Sequence, residues 1–396
     1  MKIIAIDIRL IGRRRTGDEA VFLNLVRELL LLETEYEYWL LTDRKEPRFL
    51  SELQSLLGIR DHHAVRVVSL WGRNRFFWNL VSVPLFLFRR HVDIFHTQYI
   101  LPAFVPSRTW VVSHIHDISF RVFPELISFS DRQLLALFIP HTMKRADMLI
   151  APSSFTREEI ISRYGVDESK IAVVPNAVSV DFKTSLRGPL DLEAVRKKYH
   201  LPRRFLLSVG TLQPRKNLPL FLRAFAKIEG KLPEMSVVIA GNRKGHHFDM
   251  EIDRTIAENH LEKKVFFPGF IEQGDLAAVY LLASAFVFPS RYEGFGIPLL
   301  EAFLAGIPVG ASDIPALREV GTNSVRYFTA MWFAQRRWWL TGGDIEILPR
   351  LNRRGFFCPT RLHHGGAQRR LRRDWLFPLT PCKQRTIFVP TTARFL

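Results

Sequence analysis

AFVFPSRYEGFGIPLLEAFLA, residues 285–305, decides how this chain folds. Ala285–Phe288 is a short apolar run rich in β-formers, the signature of a strand buried on both faces. Gly294-Phe-Gly296 then turns directly into a helical pattern, Pro298–Ala305. A glycine turn at a helix N-terminus presents free backbone N–H groups and the positive end of the helix dipole, which suits phosphate. Glu293 lies just before the turn and Glu301 one to two turns into the helix. A carboxylate accepts two hydrogen bonds from a ribose diol, so Glu301 is placed to read a nucleoside sugar and Glu293 to face a transferred group. The same letters also describe a plain strand–turn–helix with solvated glutamates.

Working outward, the same alternation runs through residues 1–328. Strands are expected at Ile3–Ile8, Tyr38–Leu41, Val65–Ser69, Ile94–His96, Trp110–Ile115, Met148–Ala151 and Ile171–Val174, with helices at Ala20–Leu32 and Phe129–Arg145. A second series has strands at Phe205–Val209, Ser236–Ala240, Val265–Phe267, Ala285–Phe288 and Val309–Ala311. Its helices are expected at Leu218–Ile228, Asp249–Asn259, Gly274–Ala283 and Pro298–Ala305. Strands alternating with helices imply parallel sheets covered on both faces. The series restarts after the polar stretch Asp181–Arg204, which holds Gly188-Pro189 and Leu201-Pro202. The expectation is an α/β protein of two doubly wound, Rossmann-like domains, 1–190 and 191–328, whose strand carboxyl ends face a cleft.

Three further constellations carry chemistry. VGTLQPRKN, residues 209–217, puts Gly210, Arg215 and Lys216 where the second domain's first strand opens, a fork and a point charge suited to phosphate. His114-Ile-His116-Asp117 ends a first-domain strand; His116 can bond a sugar hydroxyl or move a proton near neutral pH. No Cys or Glu set nearby completes a metal site, and none is expected. Arg13–Gly17, RRRTG, places Gly17 between a strand and a helix, close enough for a ligand. The G-x-G-x-x-G, G-x-x-x-x-G-K-[ST] and G-x-S-x-G patterns are absent. His62-His63, His246-His247 and His363-His364 read as solvated loop pairs.

Composition narrows the class. The chain has 396 residues, 47% apolar and 24% charged, which fits two globular domains rather than collagen, coiled coil or disorder. Two cysteines, Cys358 and Cys382, supply neither a disulfide framework nor a four-thiolate zinc site, so a reducing cytoplasm is expected. Asp7 and Arg9 break the first apolar run, unlike a signal peptide. Of the net charge of +17, +10 falls in residues 329–396, which also hold four of the eight tryptophans. That segment shows neither helical nor strand period. A basic arm for nucleic acid or anionic lipid, a divergent structured end, and an out-of-frame translation all fit it. Phe76–Arg90, FFWNLVSVPLFLFRR, is apolar with basic flanks. It suits a core helix or a peripheral membrane contact, and Pro84 argues against one long helix.

Residues 1–328 resemble the retaining glycosyltransferases of family 4, the glycosyl transferases group 1, in the GT-B arrangement. The resemblance rests on VVSHIHDISFRVFPE (111–125), APSSFTREEI (151–160), KIAVVPNAV (170–178), FLLSVGTLQPRKNLPLFLRAF (205–225), VFFPGFIEQGDLAAVY (265–280) and the run from Phe286 to Gly321. It implies that Arg215 and Lys216 hold the donor diphosphate, Glu301 the donor ribose, and Glu293 the side of the transferred sugar. Phe295, Gly296 and Ile297 then give backbone donors to sugar and phosphate, and His116, followed by Asp117, lies at the sugar on the acceptor side. Gly17 falls near the family's first-domain glycine loop, but Gly-Asp-Glu-Ala-Val stands where Gly-Ile-Gly-Arg/Lys-Tyr is usual. Ala177 replaces the usual glycine after Pro-Asn.

The resemblance further implies transfer of a sugar with retention, without metal or other cofactor, from a nucleoside diphosphate sugar. GDP-mannose leads the candidate donors, and the acceptor is a glycan or lipid-linked glycan at the inner membrane face. Nucleic acid is not an expected partner. A nucleotide-sugar epimerase of the same fold, or an inactive protein that only binds sugar nucleotide, are the rival readings. Nothing in 329–396 resembles the family's closing helices.

Overall fold

The computed structural model describes residues 2–329, except 13–16, 33–34, 60–63, 73, 127–128 and 244–247. The expectations for 329–396 beyond that limit, for Arg13–Thr16, for both cysteines and for the three histidine pairs therefore lie outside the described residues.

Two wholly parallel sheets form. The first has seven strands in the order β3-β2-β1-β4-β5-β6-β7: β1 Lys2–Asp7, β2 Tyr36–Thr42, β3 Val65–Ser69, β4 Ile94–Gln98, β5 Trp110–His114, β6 Met148–Ala151 and β7 Ile171–Val173. The second has six in the order β10-β9-β8-β11-β12-β13: β8 Arg204–Val209, β9 Met235–Ala240, β10 Val265–Gly269, β11 Ala285–Phe288, β12 Val309–Ser312 and β13 Arg326–Phe328. Both are doubly wound, and in each the order reverses beside the first strand, between β1 and β4 and between β8 and β11. At such a switch point two neighbouring loops part and leave a crevice for ligand.

Strand cores are continuous apolar runs because helices cover both faces; all six residues of β9 are buried. One second-sheet cluster gathers Phe205, Tyr280, Phe286 and Leu299, the other Leu206, Phe221, Phe225 and Phe328. Phe182, on the helix Val180–Arg187, is fully buried there, its ring edge-on to Tyr280 at 5.7 Å. That burial contributes roughly 2–3 kcal/mol, and it ties the Asp181–Arg204 stretch to the second sheet.

The segment Phe76–Arg90 is helical but, as Pro84 leads one to expect, not one uninterrupted α-helix. Arg75–Phe77, a π turn at Trp78–Ser82, and Val83–Arg89 follow one another as one helical rod. Pro84 is tolerated because it sits at the start of the last segment, where its missing N–H costs little.

Candidate donor and acceptor site

The second-sheet half of the site is built at the β8/β11 switch point. After β8, Gly210 takes φ +150°, and Pro214–Lys216 form a single 3-10 turn closed by Asn217 in the left-handed region. The Pro214 ring and the Asn217 cap fix this turn tightly, so Arg215 and Lys216 leave it in set directions. After β11, the loop 289–296 returns alongside: the Arg291 amide donates to the Arg215 carbonyl at 2.8 Å. The two cation-bearing and carboxylate-bearing loops are thus joined through backbone.

Between them Glu293 is buried. Its carboxylate accepts from Lys216 Nζ at 2.6 Å and Arg215 Nη1 at 3.2 Å. Burial alone would raise its pKa, but the Lys216 and Arg215 charges outweigh that and hold it below the usual carboxylate range. Lys216 Nζ also lies 5.0 Å over the Phe288 ring. It lines a recess with Gly210, Thr211 and Ser290, in which Thr211 Oγ1 is buried without a hydrogen-bond partner among the described residues.

Gly296 adopts φ +113° and starts the helix Ile297–Leu304, with Pro298 in its first turn. A methyl at Gly296 would come within 2.7 Å of Leu317, so both conformation and space demand glycine. Phe295 is buried, and Ile297 opens the helix. Glu301, one turn in, is buried too. Its carboxylate accepts from the Tyr280 hydroxyl at 2.8 Å, and burial pushes its pKa up to about 7. Tyr280 is the side chain sequence reasoning missed here; it reads as core, and 21 residues separate it from Glu301.

The first-sheet half comes from β4, β5 and their loops. His116 Nε2 lies 2.7 Å from Gln98 Oε1. A carbonyl oxygen only accepts, so the ring proton sits on Nε2, leaving His116 Nδ1 as an acceptor with no partner among the described residues. His116 stacks on His114, centroids 4.3 Å apart, and Phe22 packs edge-on to His114 and His96. Burial, with a smaller push from His116, lowers His96 to about 4 and keeps it neutral. Asp117 Oδ1 accepts from the Ser119 amide at 2.9 Å.

Gly17 begins the helix Gly17–Leu30. The unexpected acids after it have distinct duties. Glu19 closes its own loop by accepting from the Gly12 amide at 2.7 Å. Asp18 joins Glu293 and Asp117 in the negative surroundings that favour the charged form of Arg215.

The two halves meet. Gly294 lies against the His116 carbonyl, and its own carbonyl accepts from Ser153 Oγ at 2.6 Å and Thr156 Oγ1 at 3.1 Å. Glu319 accepts from the Ser154 and Phe155 amides at 2.8 and 3.1 Å, capping the first-sheet helix Ser154–Tyr164 from the second-sheet side. Tyr292 is buried among first-sheet residues, its ring edge-on to Phe155 and Phe123. The structure therefore gathers Arg215, Lys216 and Glu293 into one cluster, sets Gly294 beside His116 and Asp117, and seats Glu301 on the helix that Gly296 opens. Among the described residues, no three His, Cys, Asp or Glu side chains converge as a metal site.

Two family models match in succession. Glycosyltransferase Family 4 matches residues 16–182 and Glycosyl transferases group 1 matches residues 193–338. The second runs ten residues past Phe328, beyond the motifs that carry the sequence resemblance. O-antigen chain mannosyltransferase B of Escherichia coli is 30% identical over 210 residues, 53% of this chain and 54% of that protein. The serotype-specific mannosyltransferase WbdA of Escherichia coli is 31% identical over 179 residues, 45% of this chain and 22% of its own length. The chain thus spans about half or less of the length of these curated relatives. Sucrose-phosphate synthase of Thermosynechococcus elongatus superposes with a TM-score of 0.61 over 84% of this chain and 88% of that one, at 20% identity. Matched in sequence by both family models and in fold by two facing doubly wound sheets, the chain belongs to the family 4 glycosyltransferases of the GT-B fold.

Proposed function

We propose that this chain transfers a hexosyl group, mannose first among the candidates, from a nucleoside diphosphate sugar to a hydroxyl of a growing or lipid-linked glycan, with retention at the anomeric carbon. The observation that carries the reading is the cluster of buried Glu293 and Lys216 with partly buried Arg215 at the β8/β11 switch point. The mannosyltransferase relatives favour mannose.

In this reading the donor diphosphate lies against Arg215, Lys216 and the amides at Gly296 and Ile297. As the anomeric C–O bond breaks, its electron pair passes to the diphosphate, and these fixed cations and dipoles stabilise the growing charge without reorganising. They supply what a metal would otherwise supply, so no cofactor is required. The acceptor oxygen bonds the anomeric carbon on the face the diphosphate leaves, and its proton goes to a leaving phosphate oxygen. Glu293, held by both cations, flanks the transferred sugar. His116 Nδ1 accepts from a sugar hydroxyl, with Asp117 beside it on the acceptor side. Glu301 accepts from the donor ribose, and Gly17 lets the first-sheet loop approach.

The test incubates the full chain with GDP-mannose, UDP-glucose and ADP-glucose, with and without a lipid-linked oligosaccharide. Free nucleoside diphosphate and an extended, retained-configuration glycan support the reading. Sugar interconversion without release of diphosphate makes it an epimerase. A melt raised by one donor class without turnover makes it a binding protein, since donor at 100 times its dissociation constant adds about 2.7 kcal/mol.

A further inference from the structure

The helical rod Arg75–Phe77, Trp78–Ser82, Val83–Arg89 has two faces of opposite partnership. Its inner face carries Trp78, Val83 and Leu87, all fully buried. Trp78 Nε1 donates to Asp7 Oδ2 at 2.8 Å, which anchors the rod to the carboxyl end of β1. Its outer face carries Phe76, Leu80, Val81, Leu85 and Phe88, each between 40% and 57% exposed.

The π turn is what aligns that outer face. One extra residue in a turn rotates everything after it by about 100° relative to a plain α-helix. Without it, Leu85 and Phe88 would swing away from Phe76 and Leu80. Two neighbouring loops extend the apolar surface. Trp71, 63% exposed, packs its ring 4.8 Å from Phe77. Phe104, 65% exposed, follows Ala103, whose amide donates to the Asn79 carbonyl at 3.0 Å.

The charges on and beside the rod are mostly of one sign; the acids packed against it from other elements are Asp7, bonded to Trp78, and Asp43, against Gly72 at the Trp71 end. Residues 71–110 hold five arginines and a single acid, Asp93. Asp93 is half-buried and already engaged, accepting from the Ile3 amide at 2.7 Å and lying 3.2 Å from His91 Nε2. Arg108 donates to the Leu87, Phe88 and Arg90 carbonyls, which caps the rod and fixes a guanidinium at the stripe's end. Arg89 and Arg90 are exposed and make no ion pair among the described residues. Leucine, phenylalanine and tryptophan above an arginine rim match the depth profile of an anionic bilayer, with apolar groups at the acyl boundary and cations at the headgroups.

We propose that the outer face of this rod, with Trp71 and Phe104, docks the protein on an anionic phospholipid surface. The rod begins at the carboxyl edge of the first sheet, where Asp7 lies, so docking holds that edge of the protein at the headgroup level. This goes beyond the transferase reading and does not depend on it.

The test is co-sedimentation of the full chain with vesicles of phosphatidylcholine alone or containing phosphatidylglycerol, with neither donor nor acceptor present. Its failure and failure of the transferase reading are therefore separable. Binding is expected to the anionic vesicles, falling with salt. The pair Arg89→Gln and Arg90→Gln weakens it by about fivefold per arginine. The pair Leu85→Ser and Phe88→Ser abolishes measurable binding while the thermal melt stays near the parent's. Phe104→Ser, on a loop outside the rod, gives a second variant should the pair misfold, and is expected to weaken binding severalfold. Absence of binding by the parent overturns the proposal. So does undiminished binding by the serine variants, which would assign it to the basic residues 329–396. A stable dimer that leaves vesicles untouched would likewise overturn it and make the face a self-association surface.

Discussion

Gly294 and His116 touch through backbone: a methyl group placed on Gly294 would overlap the His116 carbonyl oxygen. No flexible side chain stands there to yield. Gly294→Ala is therefore expected to cost about 1–3 kcal/mol in urea unfolding and to displace His116 from Glu293's loop. A misplacement near 1 Å lowers turnover by about a hundredfold. Gly274→Ala is the matched control. No atom lies within 4 Å of its added methyl, and alanine suits its helix, so stability should hold or rise slightly.

Lys216→Ala is expected to lower kcat by about 10²–10³-fold, the usual cost of one preorganised charge partner. Glu293 keeps Arg215, so the fold should survive. Glu293→Gln leaves buried Lys216 and partly buried Arg215 beside each other without their carboxylate. Its thermal melt should fall in the absence of donor and recover more than the parent's when nucleoside diphosphate is added. Equal donor-induced shifts in parent and variant would separate these cations from the phosphate.

Glu301 sets a pH dependence. Its pKa of about 7, against an ordinary 4.5, means the folded protein holds a proton that the unfolded chain has released. Its contribution to stability is full below pH 4.5 and is lost as pH rises towards and through 7, by about 3 kcal/mol. Glu301→Gln should match the parent at pH 4.5 and exceed its stability at pH 8. Donor binding runs the other way. The carboxylate that grips a ribose is ionised above pH 7, so the donor KM should fall about tenfold between pH 6 and pH 8. Both effects vanish in the glutamine variant.

The strands were legible because burial on both faces writes itself as short apolar runs. Val65–Ser69, Met148–Ala151 and Ala285–Phe288 lie where the sequence puts them, to the residue. Polar helices such as Ser154–Tyr164 were not, since only Thr156 and Ile160 are buried on it and its periodicity is faint. Arg215, Lys216 and Glu293 were legible as two loops that a doubly wound sheet must bring together. The Tyr280 bond to Glu301, the Gln98 bond to His116 and the Glu319 cap on Ser154 were not, because each joins residues whose sequence separation carries no periodic signal. The π turn was hidden for the opposite reason, since Pro84 gives a strong local signal for a break that the preceding turn absorbs.

Together with His114, which burial likewise pushes well below the usual histidine range, His96 sets the acid side. Its pKa of about 4, lowered by burial and then by His116, keeps it neutral in the fold while the unfolded chain protonates near 6.5. Its contribution is intact above pH 6.5 and is lost as pH falls to 4, about 3 kcal/mol in all. His96→Gln should make that limb of a pH–stability profile measured by urea unfolding shallower, leaving the share of His114. An unchanged limb would place the acid sensitivity elsewhere.

The Glu319 cap and the Ser153 and Thr156 bonds to Gly294 have a thermodynamic meaning. All are hydrogen bonds that water can replace on parting, each worth only about 1 kcal/mol net. Tyr292, buried among first-sheet residues, is the contact that water cannot replace, and exposing it costs roughly 2 kcal/mol. The shut arrangement is therefore held mainly by one ring, and a ligand that spans the gap shifts the balance only by its differential affinity for the two arrangements.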